Sequence, residues 1–235
     1  MSAETAGPSR AAGGFQPNRG ERGDPVAVLG AGSWGTALAI QFARSGHPTR
    51  FWGRNREALA AMAASRRNER YLSAEFPASL VVEPDLAAAL AGARDALIAV
   101  PSHAFRGMLR QLVPHLTADT RLAWATKGFE LDTGLLPHQV AREVLGSNRA
   151  VAVLSGPTFA REVGEGLPTA MTIASPDAEF AREAKRQLDA LNGQFAHEQS
   201  DEPEVQMNIM APPSSGANDS NADTSGASAP TPGGN

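Results

Sequence analysis

The chain has 235 residues, 42% of them hydrophobic and 20% charged, and a net charge of −4. That length allows one sizeable core, and the mild acidity argues against a dedicated binder of nucleic acid or of anionic membrane surfaces. The absence of cysteine excludes disulfides, thiol nucleophiles and cysteine metal sites, and His47, His103, His115, His138 and His197 are scattered without ligand spacing, so no metal is expected.

Residues 1–24 are rich in Gly, Pro, Ser and Arg and lack periodicity, so they read as a disordered lead-in. The opening MSAETAGPSR has no apolar core of a signal peptide. No run of about 18 apolar residues occurs anywhere. These features predict no membrane insertion and make the cytoplasm the default location.

From Pro25 the sequence alternates short apolar runs with helical patterns. Val26-Ala27-Val28-Leu29 is continuously apolar, as a strand covered on both faces should be. Gly35 to Ser45 carries Ala37, Leu38, Ile40 and Phe42 at helical spacing and is closed by Gly46. Arg50-Phe51-Trp52 is a second strand, and Asn55 can cap the helix that follows, with Leu59 and Met62. Leu80-Val81-Val82 is a third strand, with Asp85 capping an alanine-rich helix. Ala96 to Val100, Leu122 to Ala125, Val151 to Leu154 and Ala170 to Ile173 supply four more, and a helix runs from about Asp177 to Leu191. Such alternation predicts a doubly wound, mainly parallel α/β sheet. From Glu198 the chain turns acidic and then rich in Pro, Ser, Gly and Asn, so residues 196–235 read as a disordered tail. The expected organisation is lead-in 1–24, one domain 25–195 and tail 196–235.

Gly30-Ala31-Gly32-Ser33-Trp34-Gly35 follows the first strand and opens an apolar helix. In that context G-x-G-x-x-G is the fingerprint of a Rossmann-like NAD(P)-binding domain. Gly30 permits the tight turn, Gly32 lets a diphosphate approach the backbone, and Gly35 lets helix and strand pack closely. The helix start offers free N–H groups and partial positive charge to the anion. The same residues nearly match a nucleophile elbow around Ser33, but a hydrolase needs a late histidine, and His197 alone follows His138.

An acid usually ends the second strand where the ribose is unphosphorylated. Here Gly53-Arg54-Asn55-Arg56 stands there, so a 2′-phosphate is admitted and either NAD or NADP is expected, with Arg54 or Arg56 as its reader.

VLGAGSWGTALA, FWGRN, NERYL, AVPSHAFRGMLRQL, WATKGFE and LSGPTFAREVGEGLPTAMTIAS occur in that order between Val28 and Ser175. Continuously over residues 26 to about 193, the sequence resembles the bacterial NAD(P)-dependent glycerol-3-phosphate dehydrogenases. The resemblance implies interconversion of dihydroxyacetone phosphate and glycerol 3-phosphate for phospholipid synthesis. It implies that Ser33 and Trp34 meet the cofactor diphosphate, Arg54 the ribose end, and Tyr71 the cofactor. It implies that Lys127 lies near both nicotinamide and substrate, Gly156 and Thr158 on the substrate side, and Ala160 near the cofactor. Lys127 follows the fifth strand, where open sheets bind ligands, and a lysine there can hold a phosphate or a developing alkoxide. Gly156-Pro157-Thr158 should open another helix whose N–H groups serve an anion. The partner so implied is a small phosphorylated molecule, and a homo-oligomer is admitted.

The family's second domain carries a catalytic lysine in a run like G-G-A-L-K-N and an Arg-Asn pair that holds the substrate phosphate. Neither run is present here, and no Lys or Arg follows Arg186. The catalytic residue is therefore unassigned, and the sequence reads as a truncation or a frameshifted product. Two readings stay open: an oxidoreductase completed by another chain, and a non-catalytic NAD(P)-binding module. A related dehydrogenase for another small ketone is the remaining alternative.

Overall fold

The computed structural model describes residues 24–167 and 169–192. All but the last residue of the lead-in expected for 1–24, and the whole tail expected for 196–235, lie outside them. Within the described residues the chain runs β1 (Val26–Leu29), α1 (Ser33–Arg44), β2 (Thr49–Trp52), α2 (Arg56–Ser65), β3 (Arg67–Asn68), β4 (Leu72–Glu75), β5 (Leu80–Val82), α3 (Leu86–Leu90) and β6 (Asp95–Ile98). It continues through α4 (Ser102–Leu112), a short 3-10 turn, β7 (Arg121–Trp124), α5 (Pro137–Leu145), β8 (Val151–Ser155), α6 (Ala160–Glu165), β9 (Thr172–Ala174) and α7 (Ala178–Asn192).

Seven strands form one sheet in the order β5-β2-β1-β6-β7-β8-β9. The chain winds outward from β1 to β2 and β5, then crosses back to β6 and winds the other way. The switch point lies between β1 and β6, which pair in parallel from Val26↔Asp95 to Leu29↔Ile98. Ligand crevices of open α/β sheets lie at such a point, beyond the carboxyl ends of the strands. Among the described strands of this sheet only β9 runs antiparallel, pairing Val153↔Ala174 through Ser155↔Thr172 on β8. It is an edge strand, and its antiparallel pairing requires no crossover connection from β8.

Two apolar layers sandwich the sheet. One packs α1 on β1 through Val28, Leu38, Ile40, Phe42 and Phe51, and the other packs α4 and α5 through Leu29, Ile98, Phe105, Leu109 and Trp124. All four residues of β1 are buried, which is why the strand reads as an unbroken apolar run. The capping expectations hold: Asn55 Oδ1 accepts from the Ala58 N–H at 2.9 Å and Asp85 Oδ1 from the Ala88 N–H at 2.8 Å. Gly46 closes α1 with φ +92°.

The antiparallel hairpin β3–β4 has no counterpart in the sequence reading. Its residues are mostly exposed and polar, so hydrophobic alternation does not mark it. Leu72 anchors it in the α1 layer.

Candidate functional site

The three loop glycines do three different jobs. Gly30 has φ +130°, and a Cβ there would stand 2.3 Å from the Ala99 carbonyl oxygen, in the loop after β6. A Cβ on Gly35 would stand 1.9 Å from the Gly30 carbonyl oxygen. These two glycines serve the close packing of turn, helix and neighbouring strand. A Cβ on Gly32 would meet nothing within 4 Å. Its openness has no internal packing reason, and it leaves the concavity that a backbone-hugging anion needs.

Gly32 is also the N-cap of α1, with no side-chain cap and no acid in the first turn. Among the described residues, the N–H groups of Gly32, Ser33 and Trp34 make no hydrogen bond. Unpaired donors at a helix start facing open space form an anion site. Ser33 is half-buried, and Trp34 packs against the core with a buried Nε1 that has no partner among the described residues.

The end of β2 adjoins this loop. The Gly30 N–H donates to the Trp52 carbonyl at 2.8 Å, and a Cβ on Gly53 would come within 2.7 Å of the Ala31 side chain. Arg54, the next residue, is thereby held beside the glycine loop. Arg54 and Arg56 are both exposed and make no ion pair among the described residues. Tyr71 sits in the β3–β4 turn, 43% exposed, with the Arg70 guanidinium 5.3 Å from its ring centre.

Lys127 and Gly156 come together across the carboxyl ends of β7 and β8: Lys127 Nζ lies 3.4 Å from the Gly156 carbonyl oxygen. The ammonium is exposed. Beneath it, Thr126 Oγ1 donates to the Val100 carbonyl at 2.8 Å and fixes the turn out of β7. A Cβ on Gly156 would stand 2.4 Å from the Ala170 carbonyl oxygen, so this glycine answers to the chain leading into β9. Thr158 Oγ1 is buried without a partner among the described residues.

Contrary to the expected opening at Gly156-Pro157-Thr158, the helix begins only at Ala160, with Phe159 at the N-cap position, and has six residues. Its first turn carries its own acid, because Glu162 accepts from the Phe159 N–H at 3.2 Å. The start of α6 thus carries an acid of its own on the N-cap N–H. Its place is set by α1: Gln41 Nε2 donates to the Val163 carbonyl at 2.5 Å and Arg44 Nη1 to the Gly164 carbonyl at 2.8 Å. Ala160, Ala31 and Trp34 consequently pack against one and the same core cluster.

Two groups of residues escaped the sequence reading. Asn68 and Thr36 lie behind the glycine loop, joined at 2.8 Å. Arg106 and Glu130 clamp the loop after Lys127. Both pairs bridge distant segments, and no local pattern announces such a partnership.

A switch-point crevice, a glycine loop opening a buried helix and unpaired N–H groups above an open glycine define an α/β domain of the dinucleotide-binding class. Residues 25–181 match the family model of the NAD-dependent glycerol-3-phosphate dehydrogenase N-terminus, and the chain belongs to that family. A glycerol-3-phosphate dehydrogenase [NAD(P)+] of Serratia proteamaculans is 52% identical over 164 residues, covering 69% of this chain and 48% of that protein. The corresponding protein of Glaesserella parasuis is 50% identical over 165 residues, covering 70% of this chain and 49% of its own. A crystal structure of glycerol-3-phosphate dehydrogenase from Coxiella burnetii superposes with a TM-score of 0.67 at 42% identity, over 70% of this chain and 50% of that one. The chain thus spans about half the length of the curated relatives it matches. A UDP-D-ManNAc dehydrogenase from Pyrococcus horikoshii shares the fold with a TM-score of 0.59 at 16% identity, over 71% of this chain and 44% of that one. The fold by itself therefore does not choose a substrate.

Proposed function

We propose that this chain binds NAD or NADP along the carboxyl edge of its sheet, and that it is the cofactor-binding portion of an NAD(P)-dependent glycerol-3-phosphate dehydrogenase. The observation that carries the reading is the contrast within one loop. Gly30 and Gly35 are demanded by neighbouring backbone, whereas Gly32 faces space and free N–H donors. In this reading the diphosphate lies over Gly32 and Ser33, with Trp34 beside it. Arg54 reaches the adenosine ribose, where its guanidinium accommodates a 2′-phosphate or a hydroxyl. Tyr71 borders the same end from the hairpin, and Ala160 lines the cofactor from α6.

When bound, the nicotinamide supplies a hydride acceptor or donor. Lys127 is placed to hold negative charge on a small phosphorylated substrate beside that ring, with its exposed ammonium at the end of β7. The unpartnered Thr158 hydroxyl and the Gly156 backbone border the same space. The substrate pair is dihydroxyacetone phosphate and sn-glycerol 3-phosphate, and the reaction serves glycerophospholipid synthesis in the cytoplasm. This part of the proposal rests on the family to which the chain belongs.

Ketone reduction also needs a proton donor at the forming alcohol and a clamp on the substrate. Lys127 cannot fill both roles. The residues described above are accordingly proposed to bind dinucleotide without completing ketone reduction. Titration with NADPH and NADH, followed by NADH oxidation with dihydroxyacetone phosphate, tests both statements. Binding without turnover is the expected result. Turnover that disappears in a Lys127→Ala variant contradicts the second statement, and failure to bind either dinucleotide contradicts the first.

A further inference from the structure

We infer that Asn68 is a positioning residue for the glycine loop: through the Ala31 carbonyl and the Thr36 hydroxyl, it sets the direction of the N–H groups that receive the diphosphate. The inference rests on the cofactor-binding reading above and adds to it a residue outside the glycine motif.

Asn68 ends β3 and is 2% exposed, an unusual setting for an amide in a hairpin whose other residues are largely in solvent. Its Nδ2 donates to the Ala31 carbonyl at 3.3 Å and to Thr36 Oγ1 at 2.8 Å. The Thr36 hydroxyl passes the constraint on, donating to the Gly32 carbonyl at 2.7 Å. The Thr36 N–H reaches the same carbonyl at 2.9 Å. Both hydrogens of one amide are thus committed to the back of the loop, and both Thr36 and Asn68 are buried.

The consequence follows from peptide geometry. A trans peptide is planar, so its C=O and N–H point in opposite directions. Holding the Ala31 carbonyl inward turns the Gly32 N–H outward. Holding the Gly32 carbonyl inward does the same for the Ser33 N–H. These are the donors that face the open space over Gly32, and they are without partners among the described residues. Donors fixed in advance bind an anion without reorganising at the moment of binding.

The hairpin itself is held where Asn68 can act. A Cβ on Gly164 would come within 2.9 Å of Leu72 Cδ1, so β4 lies hard against α6. The Tyr71 N–H returns to the Asn68 carbonyl at 2.9 Å, tightening the turn. Tyr71 and Asn68 are then two faces of one device, with the ring at the surface and the amide beneath the loop.

The test uses the full chain with Asn68→Ala, Thr36→Val and Thr36→Ser. Thermal unfolding establishes that each variant is folded. Binding is measured for two ligands: NADPH, which carries the diphosphate, and adenosine 2′-phosphate, which lacks it. Asn68→Ala and Thr36→Val are expected to weaken NADPH by about tenfold, the size of one or two lost buried hydrogen bonds, and to leave adenosine 2′-phosphate unchanged. Thr36→Ser keeps the hydroxyl and is expected to restore NADPH binding. Equal loss for both ligands, or NADPH affinity unchanged in folded Asn68→Ala, overturns the positioning role while the cofactor reading stands. No NADPH binding by the unaltered chain overturns the cofactor reading itself.

Discussion

The guanidinium of Arg106 grips the carboxylate of Glu130 with two parallel hydrogen bonds, Nε to Oε1 at 2.8 Å and Nη2 to Oε2 at 2.7 Å. Arg106 belongs to α4, and Glu130 lies three residues beyond Lys127. The fork thus ties the loop that carries the lysine to the helix after β6. Glu143 on α5 joins from the other side, 2.8 Å from Arg106 Nη2, and Thr133 Oγ1 donates to Glu130 at 2.6 Å.

That fork has a pH signature. The hydrogen bonds from Arg106, then that from Thr133, lower the Glu130 carboxyl from its ordinary 4.5 to about 2. A carboxyl depressed on folding stabilises above its unfolded pKa, and the benefit drains away as pH falls toward the folded value. Glu130→Gln should therefore lower the melting temperature at neutral pH, and the gap to the unaltered protein should close between pH 5 and about 2. A gap that stays constant across this range would mean that the carboxylate charge is irrelevant to the loop.

Gly35→Ala offers two opposed effects. Alanine favours a helix over glycine by about 1 kcal/mol. Against this, its Cβ would stand 1.9 Å from the Gly30 carbonyl oxygen, and backbone cannot swing aside as a flexible side chain can. Overpacking typically costs about 1–3 kcal/mol, so the clash wins and net destabilisation is expected. Denaturant unfolding checks the sign, and a stabilised Gly35→Ala protein would contradict the packing described for α1.

Arg54→Ala should weaken NADPH more than NADH, by about 1–3 kcal/mol if the guanidinium makes a charge-assisted contact with the 2′-phosphate. Competition titrations with the two cofactors separate the cases. Equal losses would transfer the role to Arg56, which is also exposed, on the first turn of α2.

Most of the main sheet was legible because central parallel strands are buried on both faces. Ala27 and Val28 have no exposed surface, so their run needs no polar partner and reads plainly as a strand. The direction of β9 was not legible, since Thr172-Ile173-Ala174 looks alike in either orientation and only its place at the sheet edge permits antiparallel pairing. The glycine loop was legible as a motif, but its division of labour was not. Which glycine faces a ligand depends on Ala99 and on the Gly30 carbonyl, and G-x-G-x-x-G says nothing about either. Asn68 and Glu130 were silent for a related reason: their partners lie 32 and 24 residues away in sequence. The late start of α6 was misread because Gly-Pro-Thr resembles a helix opening, whereas the Phe159–Glu162 pairing decides where the helix begins.

The most direct measurement is calorimetric titration of NADPH and NADH into the unaltered chain and into Gly32→Val. Nothing within 4 Å would meet a Cβ at Gly32, and its φ of −82° is open to any residue, so the variant should fold and melt like the original. Its branched side chain would fill the place where the diphosphate approaches the backbone. Saturable binding to the unaltered chain, lost in folded Gly32→Val, is the predicted result. Undiminished cofactor affinity in the folded variant would contradict dinucleotide binding at this loop.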